Sequence, residues 1–242
     1  MISSHIKEKL SSGSLIRKMF EEGNKRKAIY GAENVFDFSI GNPDLEPPKE
    51  VKDALKAIVE EDVPGGHGYM SNSGYEATRA AIAKKRSEES SVEVDASAVC
   101  MTVGAASAMN AVFHSILDQG DEVILLAPFF MEYINYIDNH GGIPVIVQTD
   151  DNFMPDVDAI IAAVTAKTKA VVINSPNNPS GVVYSKELLC KLNEALLKCD
   201  HVIHVISDEP YIELAYDGIE VPAALAVNGF HDVADGKAAV ER

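Results

Sequence analysis

From about Ala96 onward, short apolar runs alternate with longer segments in which apolar residues recur every three to four positions. The short runs are Ala98–Thr102, Glu122–Leu126, Pro144–Thr149, Ala170–Asn174 and Val202–Ser207. Between them, Ala105–Leu117, Phe130–His140, Val157–Val164 and Lys186–Lys198 carry helix-like patterning. Strand alternating with helix predicts an α/β fold, a mostly parallel sheet with helices on both faces. Valine and isoleucine dominate several of the runs, as strands buried on both faces require.

Residues 1–95 are more charged and less regular. Their pattern predicts an amphipathic helix around Ser14–Ala28 and an extended piece over Asn34–Ile40. Pro47 and Pro48 mark the start of a further helix with Val51, Leu55, Ile58 and Val59 along one face. A glycine-rich loop, Pro64–Gly74, leads into a helix near Tyr75–Ser87. The sequence carries no internal repeat and no low-complexity segment.

Composition narrows the function classes. The chain has 242 residues, enough for one large domain or two small ones. Asp and Glu number 37 against 21 Lys and Arg, a formal net charge of −16. No basic stripe is present, which argues against nucleic acid as a partner, and the acidity disfavours anionic membrane surfaces. The cysteines are Cys100, Cys190 and Cys199, with no CxxC spacing. That pattern argues against a disulfide framework or a metal site and fits thiols in a reducing cytoplasm. Charges interrupt the N-terminus throughout, so it is expected to be neither signal peptide nor anchor. No apolar run approaches the ~18 residues of a spanning helix.

In open parallel sheets, ligands bind outside the carboxyl ends of the strands. Four segments fall there: Val103-Gly104-Ala105-Ala106, Ala127-Pro128-Phe129-Phe130, Ser175 to Gly181, and Asp208-Glu209-Pro210-Tyr211. Each has an ordinary reading when taken alone. Gly104 with small residues after it is a plain strand-to-helix turn, although amides at a helix start also attract anions. The dinucleotide fingerprint GxGxxG is absent. NSPNNPSG consists of turn formers, but a stiff loop also fixes the Asn178 amide in place. Asp208 is a solvated strand end, a metal ligand or a partner for a cationic ligand atom. Aromatics such as Phe129 and Phe130 are more often core than platform.

Together these segments resemble the fold-type I pyridoxal-phosphate enzymes, specifically the class I/II aminotransferases. Asn-Pro-Ser-Gly at 178–181 and Asp-Glu-Pro-Tyr at 208–211 are specific as a pair. FSIGNPD at 38–44, SGYEATRAAIAKK at 73–85 and LDQGDEVILLAPFF also match the family. The resemblance runs from about residue 30 to residue 222. It implies an N-terminal arm and small-domain segment over 1–60, an incomplete cofactor-binding large domain over 61–222, and an unmatched tail over 223–242.

The resemblance also implies roles. Asp208 binds the pyridine nitrogen and keeps it protonated, so that the ring withdraws electrons from the substrate's α-carbon. Asn178 and Tyr211 hydrogen-bond the ring's phenolic oxygen, and Phe130 stacks on the ring, with Phe129 in the core. Gly104, Ala105 and Ala106 bind the phosphate through backbone amides; many relatives place a hydroxyl residue there. Tyr69 reaches the phosphate of a neighbouring subunit, which implies a homodimer. Gly41, within the substrate-touching stretch Ile40–Asp44, lies against the substrate carboxylate.

The family's Schiff-base lysine is expected about thirty residues after Asp208, in a Ser-x-Ser-Lys context. Lys237 has a suitable interval, but its context is Ala-Asp-Gly-Lys-Ala-Ala, and a solvated tail lysine is the favoured reading. The family's C-terminal portion, with its substrate-carboxylate arginine, is not found either. The expectation is therefore a fragment of an aminotransferase moving an amino group between an amino acid and a 2-oxo acid. A non-catalytic pyridoxal-phosphate binder is the alternative, and a generic nucleotide-binding sheet protein is the third reading.

Overall fold

Successive apolar residues in the strands face opposite ways, and two separate cores result. The computed structural model describes residues 2–4, 6–7, 15–39, 41, 45–61, 63–227 and 239–241. Its strands are β1 (Glu122–Ala127), β2 (Ile143–Gln148), β3 (Thr168–Asn174), β4 (His204–Asp208) and β5 (Ala239–Glu241). They form one sheet in the order β2-β1-β3-β4-β5, and every pairing is parallel. The helices are α1 (Leu15–Tyr30), α2 (Lys49–Glu61), α3 (Glu76–Ser90), α4 (Gly104–Ile116), α5 (Glu132–Asp138), α6 (Val157–Ala162) and α7 (Lys186–Leu196).

On one face of the sheet, Ile124, Leu126, Val171, Ile173 and Val205 pack with Val157 and Ile160 of α6 and with Leu189, Leu192 and Leu196 of α7. On the other, Val123, Leu125, Ala170, Val172 and Ile206 pack with Met109 and Phe113 of α4 and Tyr133 and Ile137 of α5. The period of two in the strands thus divides the residues between the layers. The mostly parallel, doubly covered sheet expected from the sequence is the fold observed. Local signals start the helices: the Ser185 hydroxyl accepts from the Leu188 N–H, and the Asp156 carboxylate accepts from the Asp158 and Ala159 N–H groups.

One expected strand is absent. Within Ala98–Thr102, Ala98 closes a 3-10 turn begun at Ala96 and capped by the Asp95 carboxylate on the Ser97 N–H. The Met101 N–H then donates to the Ser73 carbonyl at 2.9 Å rather than to a ladder. Most of the run is exposed, so its apolar residues had no sheet face to fill. A short apolar run alone does not distinguish the two outcomes.

The chain divides into two units, Met1–Gly68 and Tyr69–Arg242. In the first, the Lys27 ammonium donates to Asp37 at 2.7 Å, and Asp37 also accepts from the Ser39 N–H and hydroxyl. These partners, Lys27 foremost, hold the Asp37 carboxyl well below the usual carboxylate range. A Cβ on Gly23 would lie 2.7 Å from Asp37 Oδ2, so glycine is what lets the extended piece approach α1. The α2 stripe Val51, Leu55, Ile58 and Val59 is exposed. The second unit contains the sheet. Among the described residues, no helix is long and apolar enough to cross a membrane.

Candidate functional site

Because every strand runs the same way, the segments after β1, β3 and β4 leave the sheet at one edge. The register places Asn174, the last residue of β3, directly opposite Asp208, the last of β4. Asp208 is 6% exposed, and the Tyr133 hydroxyl donates to its Oδ2 at 2.6 Å. A carboxylate this buried is stable only with donors around it. Phe130 lies three residues before Tyr133, with the two rings edge-to-face and their centroids 5.6 Å apart.

The loop after β3 is tied to the same point. The Asn174 side-chain amide donates to the Asp208 carbonyl at 2.7 Å, and its oxygen accepts from the Asn178 N–H at 2.6 Å. The Asn178 amide in turn donates to the Tyr211 hydroxyl at 3.3 Å. Phe130, Asp208, Asn178 and Tyr211 are therefore joined in one network through Tyr133 and Asn174.

The loop is braced from within. The Asn177 N–H donates to the Val182 carbonyl, and the Gly181 N–H donates back to the Asn177 carbonyl. Ser180 donates to the Asn177 side chain through both N–H and hydroxyl, and the Tyr184 N–H donates to the Ser175 hydroxyl. Gly181 takes φ +75°, which glycine allows at no steric cost. Burial pushes the Tyr184 phenol up to about 12, against the opposing hydrogen bond from Asn177. Behind Asp208, Glu209 Oε1 accepts from the Ser207 hydroxyl and the Ala224 N–H, both at 2.8 Å. This holds the returning segment against the end of β4. Its Oε2 is buried without a hydrogen-bond partner among the described residues.

Gly104 opens α4 with φ +71°, and no side chain caps that helix. Ala105 and Ala106 follow in its first turn, and farther along the helix Met109 and Phe113 pack in the same cluster as Tyr133. Gly104 has no atom within 4 Å of where a Cβ would stand. Tyr69 opens the second unit with a fully exposed side chain and, among the described residues, makes no hydrogen bond to the network. Gly41 belongs to the first unit and is exposed. Its neighbours Ile40 and Asn42–Asp44 lie outside the described residues, as does Lys237. Among the described residues there is no cluster of three or more potential metal-ligating side chains.

Sequence reasoning did not single out Tyr133 and Asn174. Both stand inside quoted motifs. Tyr133 ends APFFMEY one helical turn beyond Phe130, and Asn174 joins the buried run to NSPNNPSG. Their spacing was available as a signal; their partners, 75 and 34 residues away, were not.

The chain is similar to known proteins over most of its length. The family described as "Aminotransferase class I and II" matches residues 33–240, a span that includes most of the segment after 222. A protein of Thermus aquaticus named "Probable aspartate/prephenate aminotransferase" is 40% identical over 191 residues, covering 78% of this chain and 49% of that one. The "Aspartate aminotransferase" of Pyrococcus horikoshii is 32% identical over 206 residues, covering 84% and 50%. Among solved structures, an amino transferase from Eubacterium rectale superposes with TM-score 0.87 at 41% identity, covering 94% of this chain and 59% of that one. Aspartate aminotransferase from Thermus thermophilus with maleate superposes with TM-score 0.78 at 31% identity, covering 93% and 58%. The chain spans about half the length of the curated relatives it matches. The family match covers most of the residues, and the strand-end network falls on the motifs that suggested it, so the chain belongs to the class I and II aminotransferases, with their fold-type I architecture.

Proposed function

We propose that this chain binds pyridoxal 5′-phosphate and that the protein it represents transfers an amino group between an amino acid and a 2-oxo acid. The observation that carries the reading is Asp208, a buried carboxylate at the carboxyl end of β4. The residues present fit the cofactor by the chemistry of their donor set. A buried carboxylate suits a protonated ring nitrogen, and the Asn178 amide beside the Tyr211 hydroxyl suits a phenolate oxygen. Gly104, Ala105 and Ala106, in an uncapped first helical turn, suit a phosphate. When bound, the cofactor supplies an electron-withdrawing ring that stabilises negative charge at the substrate's α-carbon.

The chain's own residues do the positioning. Asp208 holds a proton on the ring nitrogen. Tyr133 orients the Asp208 carboxylate through its hydroxyl. Asn178 and Tyr211 would hydrogen-bond the ring's phenolic oxygen, and Phe130 would stack on the ring. Gly41 meets the substrate carboxylate. The exposed Tyr69 reaches the phosphate of a second copy, in a homodimer. The relatives' names make aspartate the first amino donor to assay. Amino acid metabolism in the cytoplasm is the proposed setting, in line with three unpaired cysteines. Residues 1–60 are assigned to the small domain and 61–222 to the large one.

Equilibrium dialysis against pyridoxal 5′-phosphate tests the reading. The unaltered chain is expected to retain cofactor, and Asp208→Ala to lose it. Equal retention by both, or by neither, overturns the assignment. Borohydride reduction separates the enzyme from the non-catalytic binder: a label fixed to a lysine supports the first, and fully reversible binding supports the second.

A further inference from the structure

We infer that Asn174 is a positioning residue that sets the separation between the two ring-holding groups, Asp208 and Asn178. The inference rests on the cofactor reading above and extends it to a residue that touches no ligand. Asn174 is 4% exposed and is the register partner of Asp208. After it, β3 leaves the ladder through Ser175 and Pro176, and Pro176 has no N–H to offer a neighbouring strand. The Asn174 side chain takes over where the ladder stops. Its Nδ2–H donates to the Asp208 carbonyl at 2.7 Å, and its Oδ1 accepts from the Asn178 N–H at 2.6 Å.

One planar amide thus spans from the backbone of the residue facing the ring nitrogen to the backbone of the residue facing the phenolic oxygen. Those two ligand atoms lie at fixed positions on a rigid ring. The side chains that meet them come from separate strands, and their spacing must match the ring. Asparagine suits the task because it donates and accepts across one short rigid group. Alanine satisfies neither backbone group, and aspartate can accept from Asn178 but has no proton for the Asp208 carbonyl.

The test is equilibrium dialysis of the full chain against pyridoxal 5′-phosphate, with stability measured in parallel by urea unfolding. Asn174→Ala is expected to weaken cofactor binding about tenfold or more, equivalent to at least ~1.4 kcal/mol. Thr168→Val provides the structural comparison. Thr168 is fully buried at the opposite end of the same strand, and its hydroxyl accepts from the Thr165 N–H at 2.9 Å. That variant is expected to lose stability with unchanged affinity.

Where Asn174→Ala fails to fold, Asn174→Asp carries the test, read by dialysis and by the nitrogen-15 shift of ring-labelled cofactor. It is expected to move that shift toward the value of free cofactor and to weaken binding. An Asn174 variant that folds, is destabilised like Thr168→Val and binds with unaltered affinity overturns the inference and leaves the cofactor reading intact. Absence of binding by the unaltered chain at millimolar cofactor removes the cofactor reading, and this inference with it.

Discussion

Replacing Tyr133 by phenylalanine removes a single oxygen from a residue that is 2% exposed. The ring remains, with its edge-to-face contact to Phe130 and its place among Phe113, Ile137 and Ile206. What disappears is the donor to Asp208 Oδ2 at 2.6 Å. A hydrogen bond to a charged group contributes about 1.5–3 kcal/mol net, and its loss in a dry site falls toward the upper end. With a urea slope of about 2 kcal/mol/M, the unfolding midpoint drops by about 1–1.5 M while the slope stays unchanged. The assay is urea unfolding of Tyr133→Phe, Asp208→Ala and the double variant, followed by far-ultraviolet circular dichroism. Tyrosine fluorescence provides a second probe, since the chain has no tryptophan. The cycle isolates the pair, with an expected coupling of about 1.5–3 kcal/mol. Additive single effects, with coupling below about 0.5 kcal/mol, would refute the claim that Tyr133 holds the Asp208 carboxylate.

Tyr184→Phe is expected to flatten the alkaline limb of the stability profile. The folded phenol at about 12 lies above its ordinary 10.0, so the neutral form is favoured by the fold and the associated stability is present below about pH 10. It is lost as the pH rises through about 12, on the order of 2–3 kcal/mol, and a variant that loses stability as steeply as the unaltered chain contradicts the assignment. Phe113→Ala, at a fully buried core position, is expected to cost about 3–5 kcal/mol in the same urea assay. Val51→Ala, on the exposed face of α2, is expected to stay within about 0.5 kcal/mol, and comparable losses at both sites would contradict the burial pattern.

The strands that the sequence made legible are those filled on both faces. Val123 to Leu126 and Ala170 to Ile173 are apolar at every position because each side has a helix layer to meet. Ala98–Thr102 has a similar composition and forms no strand, because its Met101 N–H is taken by Ser73. That contact joins two loops and leaves no trace in hydrophobic period. The site divides in the same way. Asp208, Asn178 and Tyr211 sit in motifs whose residue order is itself informative. Asn174 meets Asp208 through sheet register, which emerges only when β3 and β4 pair, and Tyr133 reaches Asp208 through the packing of α5 on the sheet.

The hydrogen-bonded network lies within one unit of the chain. Phe130, Tyr133, Asn174, Asn178, Asp208 and Tyr211 all belong to the unit beginning at Tyr69, whereas Gly41 belongs to the unit ending at Gly68. The groups proposed to hold the ring are already linked by hydrogen bonds within one unit: Tyr133 to Asp208, Asn174 to both Asp208 and Asn178, and Asn178 to Tyr211. Prepaying that order lowers the entropy lost when a rigid ligand binds. On the proposed reading, ring recognition rests on the sheet edge and the 175–184 loop, whose buried contacts are already made. On that reading, affinity for the cofactor is therefore expected to respond to substitutions at the strand ends, at Asn174 and Asp208 first.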